Sequence, residues 1–155
     1  MGSRAIACVA LEELGCELPS IPREVVEALA DHAHAARLGP GASGLATGQG
    51  LTVLLVALPH GVEGACSADG VLTVRPARDP DAQELVTLHE LAHHLLTGLD
   101  HTHVDVWRLA LALGAPRAVL DGLARRGRLT ALHVAAETGL PAWAAAWRLG
   151  FVGGG

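Results

Sequence analysis

The fold of this chain is decided by the stretch DPDAQELVTLHELAHHLLTG, residues 79–98. Its beginning has the signals of a helix N-terminus, because Asp79 suits an N-cap and Pro80 suits the first helical position. Apolar residues then recur at helical spacing, which predicts one buried stripe. They are Leu85, Leu88, Leu91, Ala92, Leu95 and Leu96. Gly98 supplies a stop signal, so the stretch is predicted to be an amphipathic helix that packs on a core.

The same helix carries an HExxH motif, His89-Glu90-Leu91-Ala92-His93. Residues four apart are neighbours on a helix surface, so His89 and His93 can each offer a ring nitrogen to one metal ion. Glu90 then lies beside them, where a carboxylate can act as the general base. The motif is typical of zinc peptidases and predicts one catalytic Zn²⁺, with another divalent metal as an alternative. The competing interpretation is a helix whose histidines are only packed or solvated.

Composition favours one domain over residues 1–155 of the 155-residue chain. The longest apolar run, 51–58, is far shorter than the ~20 residues that span a bilayer. The N-terminus has no extended apolar region of a signal peptide, so a cytoplasmic location without membrane contact is expected. A formal charge of −5 argues against nucleic-acid binding over the whole surface.

Within this single domain the chain divides into three parts. Residues 1–50 are expected to form N-terminal helices and a glycine-rich, turn-forming link, and residues 51–98 a small sheet followed by the HExxH helix. Residues 99–150 are expected to hold the helix with the third metal ligand and the C-terminal helices. Strands first and helices after predict an α+β class. The expected architecture is a zincin-like domain, with a small, mostly antiparallel sheet packed on the HExxH helix and a C-terminal helical bundle.

Three strands are expected in the sheet. Residues 51–58 form a β-branched and apolar run that predicts a buried strand, and 71–74 predicts another, with which 62–65 would pair. The best candidate for a free edge that takes an extended substrate as an added strand is the second of these. It comprises Val71, Leu72, Thr73 and Val74. Because the chain has no tyrosine, the candidate donors to an oxyanion include His60 and Arg75.

A catalytic zinc usually has three protein ligands, so a third is expected near residues 100–105. Asp105 lies on the apolar face of the next predicted helix, 105–113, one turn before Leu109. A carboxylate on an inward face is costly unless something pairs with it, and a metal would do so. His103 is the alternative, since zinc accepts imidazole and carboxylate alike.

The HExxH segment and several others occur in an order that is typical of one peptidase family. They are Val62-Glu63-Gly64, Val71-Leu-Thr-Val74, Thr87-Leu-His-Glu-Leu-Ala-His93, Asp105 to Pro116, and Arg148-Leu-Gly150. In this series residues 51–149 resemble the ImmA/IrrE family of bacterial and phage metallopeptidases. The resemblance implies that Asp105, in place of the family's Glu, is the third ligand. It also implies that the protein substrate is a helix-turn-helix transcriptional repressor.

Two other interpretations remain open from the sequence. The segment His103-Val-Asp-Val-Trp107 resembles the third-ligand helix of SprT-like peptidases, which implies His103 as the ligand. A non-catalytic, metal-free relative that binds a partner protein is the second. Direct binding to DNA is not expected, because the second helix of a helix-turn-helix-like terminus, 142–147, has almost no polar side chains to read bases.

Overall fold

The computed structural model describes residues 18–77 and 79–153, which form an α+β fold of seven helices and a three-stranded mixed sheet. The helices are α1 (Arg23–Ala35), α2 (Gly41–Gly48), α3 (Pro80–Leu95), α4 (His103–Gly114), α5 (Arg117–Arg125), α6 (Ala131–Thr138) and α7 (Ala142–Gly153). The strands are β1 (Thr52–Leu55), β2 (Gly64–Cys66) and β3 (Val71–Val74). A helix expected near residues 4–14 lies outside the described residues. None of the helices in the described ranges has the length and apolar character needed to cross a membrane.

Helix α3 is the helix predicted from residues 79–98. The side chain of Asp79 accepts a hydrogen bond from the backbone N–H of Asp81 at 3.0 Å, and Pro80 occupies the first turn. The helix ends at Leu95, and Gly98 follows with a left-handed φ of +88°. The apolar stripe is buried as expected except for Leu95, which is partly buried, and α3 packs against α4, β2 and β3. The HExxH helix therefore lies between the sheet and the helical part of the domain.

The order of the strands differs from the prediction. Strand β3 lies in the centre of the sheet, parallel to β1 and antiparallel to β2. The prediction that Val71, Leu72, Thr73 and Val74 form a free edge is therefore wrong. Full burial of Leu72 and Val74 gives the physical reason, since a central strand packs on the core while its backbone is paired on both sides. The sheet is also mixed rather than mostly antiparallel.

Strand β1 is an edge strand, and the prediction that it is buried is wrong. Leu54 and Leu55 are 46% and 52% exposed. The β-branched and apolar run at 51–58 thus predicts the strand correctly but not its surroundings, because an apolar run does not show whether a strand lies at the edge or in the centre. The short strand expected at 62–65 is confirmed as β2, whose Ala65 pairs with Thr73 of β3.

The glycine-rich segment 39–50 contains a helix, α2, and is not only a link. Gly44 lies so close to the carbonyl of Gly39 that a Cβ atom at position 44 would be 2.0 Å from that oxygen. The backbone N–H of Ala42 donates to the carboxylate of Glu84, which satisfies a group at the helix N-terminus. Glycine here permits close packing within a helix, whereas in the sequence it indicates a turn.

A buried ion pair joins the two ends of the described chain. Arg148 of α7 donates from Nη1 and Nη2 to the two carboxylate oxygens of Glu27 in α1, at 2.5 and 2.9 Å. Its Nε donates to the carbonyl of Ala115 at 2.8 Å. Arg148 and Glu27 are only 2% and 5% exposed, so each charge has lost its water and is stabilised by the opposite charge of its partner.

Candidate metal centre

His89, Glu90 and His93 come together on a partly buried side of α3. Among residues 18–77 and 79–153 they are the one group of at least three His, Cys, Asp or Glu side chains whose ligand atoms all lie within 4.8 Å of one another. The rings of His89 and His93 meet edge to face, with centroids 4.7 Å apart. All three side chains are partly buried, so a cation here would be partly shielded from solvent. The arrangement can hold a metal ion, as the sequence predicts.

The ring of His89 is fixed by two neighbours. Its Nδ1 lies 3.3 Å from Oε1 of Glu90, and its face lies against the buried indole of Trp107, with ring centroids 4.6 Å apart. When Nδ1–H donates to Glu90, Nε2 carries a lone pair. This Nε2 is buried and has no hydrogen-bond partner among residues 18–77 and 79–153. A buried polar atom without a partner costs about 1–3 kcal/mol, which a bound cation would remove.

His93 is held in its neutral form. Burial lowers its pKa below the ordinary value of 6.5, and the neighbouring His89 lowers it further. The carboxylate of Glu90 opposes this effect, whereas His103 and His101 add to it. A metal binds the neutral imidazole, so a lowered pKa keeps His93 able to bind a metal at neutral pH.

Asp105 does not join this group, although the sequence predicts it as the third ligand. Its side chain is fully buried, and its carboxylate accepts hydrogen bonds from four other residues. The donors are the backbone N–H and hydroxyl of Ser20, the backbone N–H of Ile21, the backbone N–H and hydroxyl of Thr102, and the guanidinium of Arg108. The inward carboxylate has the partners that its burial requires, but they are protein groups and not a metal site.

The hydrogen bonds of Asp105 also set its ionisation. Burial raises its pKa, but the hydrogen bonds from Thr102, Ser20 and Ile21 together have the greater effect, so the pKa lies below its ordinary value of 3.8. Asp105 and Thr102 form a capping box at the start of α4, in which Thr102 N–H donates to Asp105 at 2.9 Å. The carboxylate therefore attaches the segment before α1 to the first turn of α4.

His103, the alternative ligand, lies near the cluster. It is the first residue of α4, and its ring centroid is 6.2 Å from that of His93. Its side chain is exposed, and its charge is one of those that act on His93. Of the two candidates for the third ligand, His103 is the one that the structure brings beside the HExxH pair.

The two candidate oxyanion donors lie elsewhere. Arg75 follows β3 and donates from Nε to the carbonyl of Val62 at 3.1 Å, and from Nη2 to the carbonyls of Leu58 and Pro59. These donors hold the loop before β2, so they are engaged with the protein itself. His60 lies exposed in that same loop. Neither is positioned by a contact with His89, Glu90 or His93.

Three features around the cluster were not predicted from the sequence. Trp107 supports the ring of His89, as described above. Gly64 of β2 packs directly on the stem of Glu90. Cys66, also in β2, has its Sγ 3.9 Å from Nδ1 of His94, and burial together with the charge of Glu90 raises the pKa of the thiol. Only Trp107 had a signal in the sequence, its position in the segment that resembles SprT-like peptidases.

No model of a known protein family matches this chain, and neither does any curated protein sequence.

Proposed function

We propose that this chain is a zinc-dependent endopeptidase of the HExxH type, with a zincin-like arrangement of sheet and active helix. The observation that carries the proposal is the group of His89, Glu90 and His93, in which the buried Nε2 of His89 has no partner in the described part of the chain. Buried ring nitrogens of structural histidines normally have a hydrogen-bond partner. A histidine pair that only packs would leave this nitrogen unsatisfied at a cost, whereas a metal-binding pair uses it.

In the proposed site His89, His93 and His103 hold the metal. A bound zinc ion supplies a Lewis acid that makes water a stronger nucleophile and polarises the peptide carbonyl. Support for His103 comes from its ring beside His93 and from the commitment of Asp105 to other groups. This ligand set agrees with the SprT-like alternative, while other parts of the chain resemble the ImmA/IrrE family.

Glu90 is the general base of the proposed reaction. It accepts the proton of the attacking water and passes a proton to the nitrogen of the leaving amine. Its carboxylate lies beside His89 and its stem is enclosed by β2, so the side chain is partly buried and held at the cluster. A held base needs little reorganisation in the transition state.

The proposed substrate strand lies along β2 rather than β3. Among the described strands β2 has one partner, β3, so its other edge is unpaired in the sheet. It also packs directly on α3, and its Gly64 lies against the stem of Glu90. An extended segment of a protein would add there through backbone hydrogen bonds. The resemblance to ImmA/IrrE peptidases makes a helix-turn-helix repressor the first substrate to test.

The test combines metal analysis with cleavage of a mixture of quenched fluorescent peptides. Wild type should purify with, or take up, roughly one zinc per chain. Glu90→Gln should keep the zinc and lose cleavage, whereas Glu137→Gln, an exposed glutamate of α6, should keep both. His103→Ala should lower the zinc content.

Two outcomes would contradict the proposal. Cleavage that persists in Glu90→Gln would exclude the mechanism. A wild-type protein that stays empty after zinc is supplied would favour the non-catalytic module that binds a partner protein.

A further inference from the structure

Gly64 is a glycine because of the space around it and not because of its backbone conformation. It does not have a left-handed φ, so the backbone there suits any residue. A Cβ atom at this position would lie 2.7 Å from Cγ of Glu90, 3.0 Å from Cγ1 of Val86 and 3.3 Å from Cδ of Glu90. Real Cβ atoms essentially never approach another heavy atom within 3.0 Å, so even a methyl group would force a neighbour to move.

The neighbour that would move is Glu90. The backbone of Gly64 is fixed by its pairing with Val74 of β3, and Val86 belongs to the buried face of α3. Glu90 has the more flexible side chain of the two neighbours, and its Oε1 lies 3.3 Å from Nδ1 of His89. A methyl group at position 64 would therefore displace the stem of Glu90 and carry its carboxylate away from the cluster.

We infer that Gly64 is a positioning residue, whose missing side chain leaves the space in which the general base lies. The role in catalysis rests on the proposed function, whereas the contact between Gly64 and Glu90 does not. The inference therefore has two separate tests, one of which needs no activity.

The first test is a double-mutant cycle on thermal unfolding. Overpacking in a well-packed region is expected to lower the Tm of Gly64→Ala by about 2–12 °C. Glu90→Ala removes the atoms that the methyl group would meet, so the same change in that background should lower the Tm much less. Gly150→Ala is the matched control, because a Cβ atom at that position meets nothing within 4 Å. An equal fall in both backgrounds, or no fall in either, would overturn the inference.

The second test uses the zinc-loaded protein and the fluorescent peptide mixture. Gly64→Ala should keep its zinc and its KM, while kcat falls by roughly 100-fold, as expected when a catalytic group is misplaced by about 1 Å. An unchanged kcat would overturn the inference. If zinc-loaded wild type cleaves no peptide, the proposed function fails, and the thermal cycle alone decides whether Gly64 positions Glu90.

Discussion

Replacing Asp105 with alanine distinguishes a residue that fixes the fold from one that binds the metal. The carboxylate accepts hydrogen bonds from backbone N–H groups of Ser20, Ile21 and Thr102 and from the guanidinium of Arg108. Asp105→Ala removes the acceptor of all these donors, of which the N–H of Ile21 is buried and the others are partly buried. We therefore expect a large loss of stability with no direct loss of metal.

The magnitude follows from the burial of the charge. Removing one partner of a buried charged network costs about 3–5 kcal/mol, and this loss includes the bond that Asp105 contributes to the capping box. A domain of this size changes its Tm by about 2–4 °C per kcal/mol. The Tm of Asp105→Ala should thus fall by roughly 6–20 °C. Asp100→Ala, in the exposed loop before α4, is the control and should stay within about 0.5 kcal/mol of wild type.

The assay is thermal and urea denaturation of the metal-free protein, together with zinc analysis at a temperature where the variant is folded. Folded Asp105→Ala should bind zinc with the stoichiometry of wild type. A variant as stable as wild type would show that these hydrogen bonds do not hold the fold. A variant that folds normally but has lost its zinc would show that Asp105 is a ligand.

Three further predictions concern other groups. Trp107→Ala should lower the free energy of unfolding by about 3–5 kcal/mol in urea denaturation. It should also bind zinc roughly tenfold more weakly in a chelator competition, because the ring of His89 loses its support. An unchanged zinc affinity would show that Trp107 does not support His89. Arg148→Met should lower the free energy of unfolding by about 3–5 kcal/mol in the same denaturation assay, because it leaves the buried charge of Glu27 unpaired. The double variant with Glu27→Leu should regain most of this loss, because no buried charge then remains. In metal-free protein the lowered pKa of His93 means that the unfolded chain takes up the proton first, so the Tm should fall as pH falls below 6.5. A pH scan of the Tm checks this, and His93→Gln should reduce the slope.

The parts of the fold that were predicted correctly depend on local signals. Helix α3 was predictable because its cap, its proline and its apolar spacing lie within one stretch, 79–98. Strand order depends on contacts between distant segments, so the sequence did not show that β3 lies between β1 and β2. The helix α2 was missed for another reason. Its glycines allow Gly44 to approach Gly39, and the carboxylate that caps it, Glu84, comes from a different helix.

The candidate site divides in the same way. His89, Glu90 and His93 were predictable because one helical turn brings them together. The position of Asp105 on an inward face was also predicted, and so was its need for a partner. What the residues could not show is the identity of that partner, because the segment at Ser20 is remote in sequence and polar through its backbone N–H, which every residue but proline has.

The network of Asp105 bears directly on where the third ligand can be. A carboxylate that turned toward a metal would leave the N–H groups of Ser20, Ile21 and Thr102 without this acceptor, and the buried N–H of Ile21, if unpaired, would cost about 1–3 kcal/mol. The same hydrogen bonds hold the first turn of α4 in place, and His103 is the first residue of that turn. In the proposed metal centre, Asp105 would therefore act through the position of His103. The buried acid fixes the start of the helix whose first residue, His103, lies beside His93.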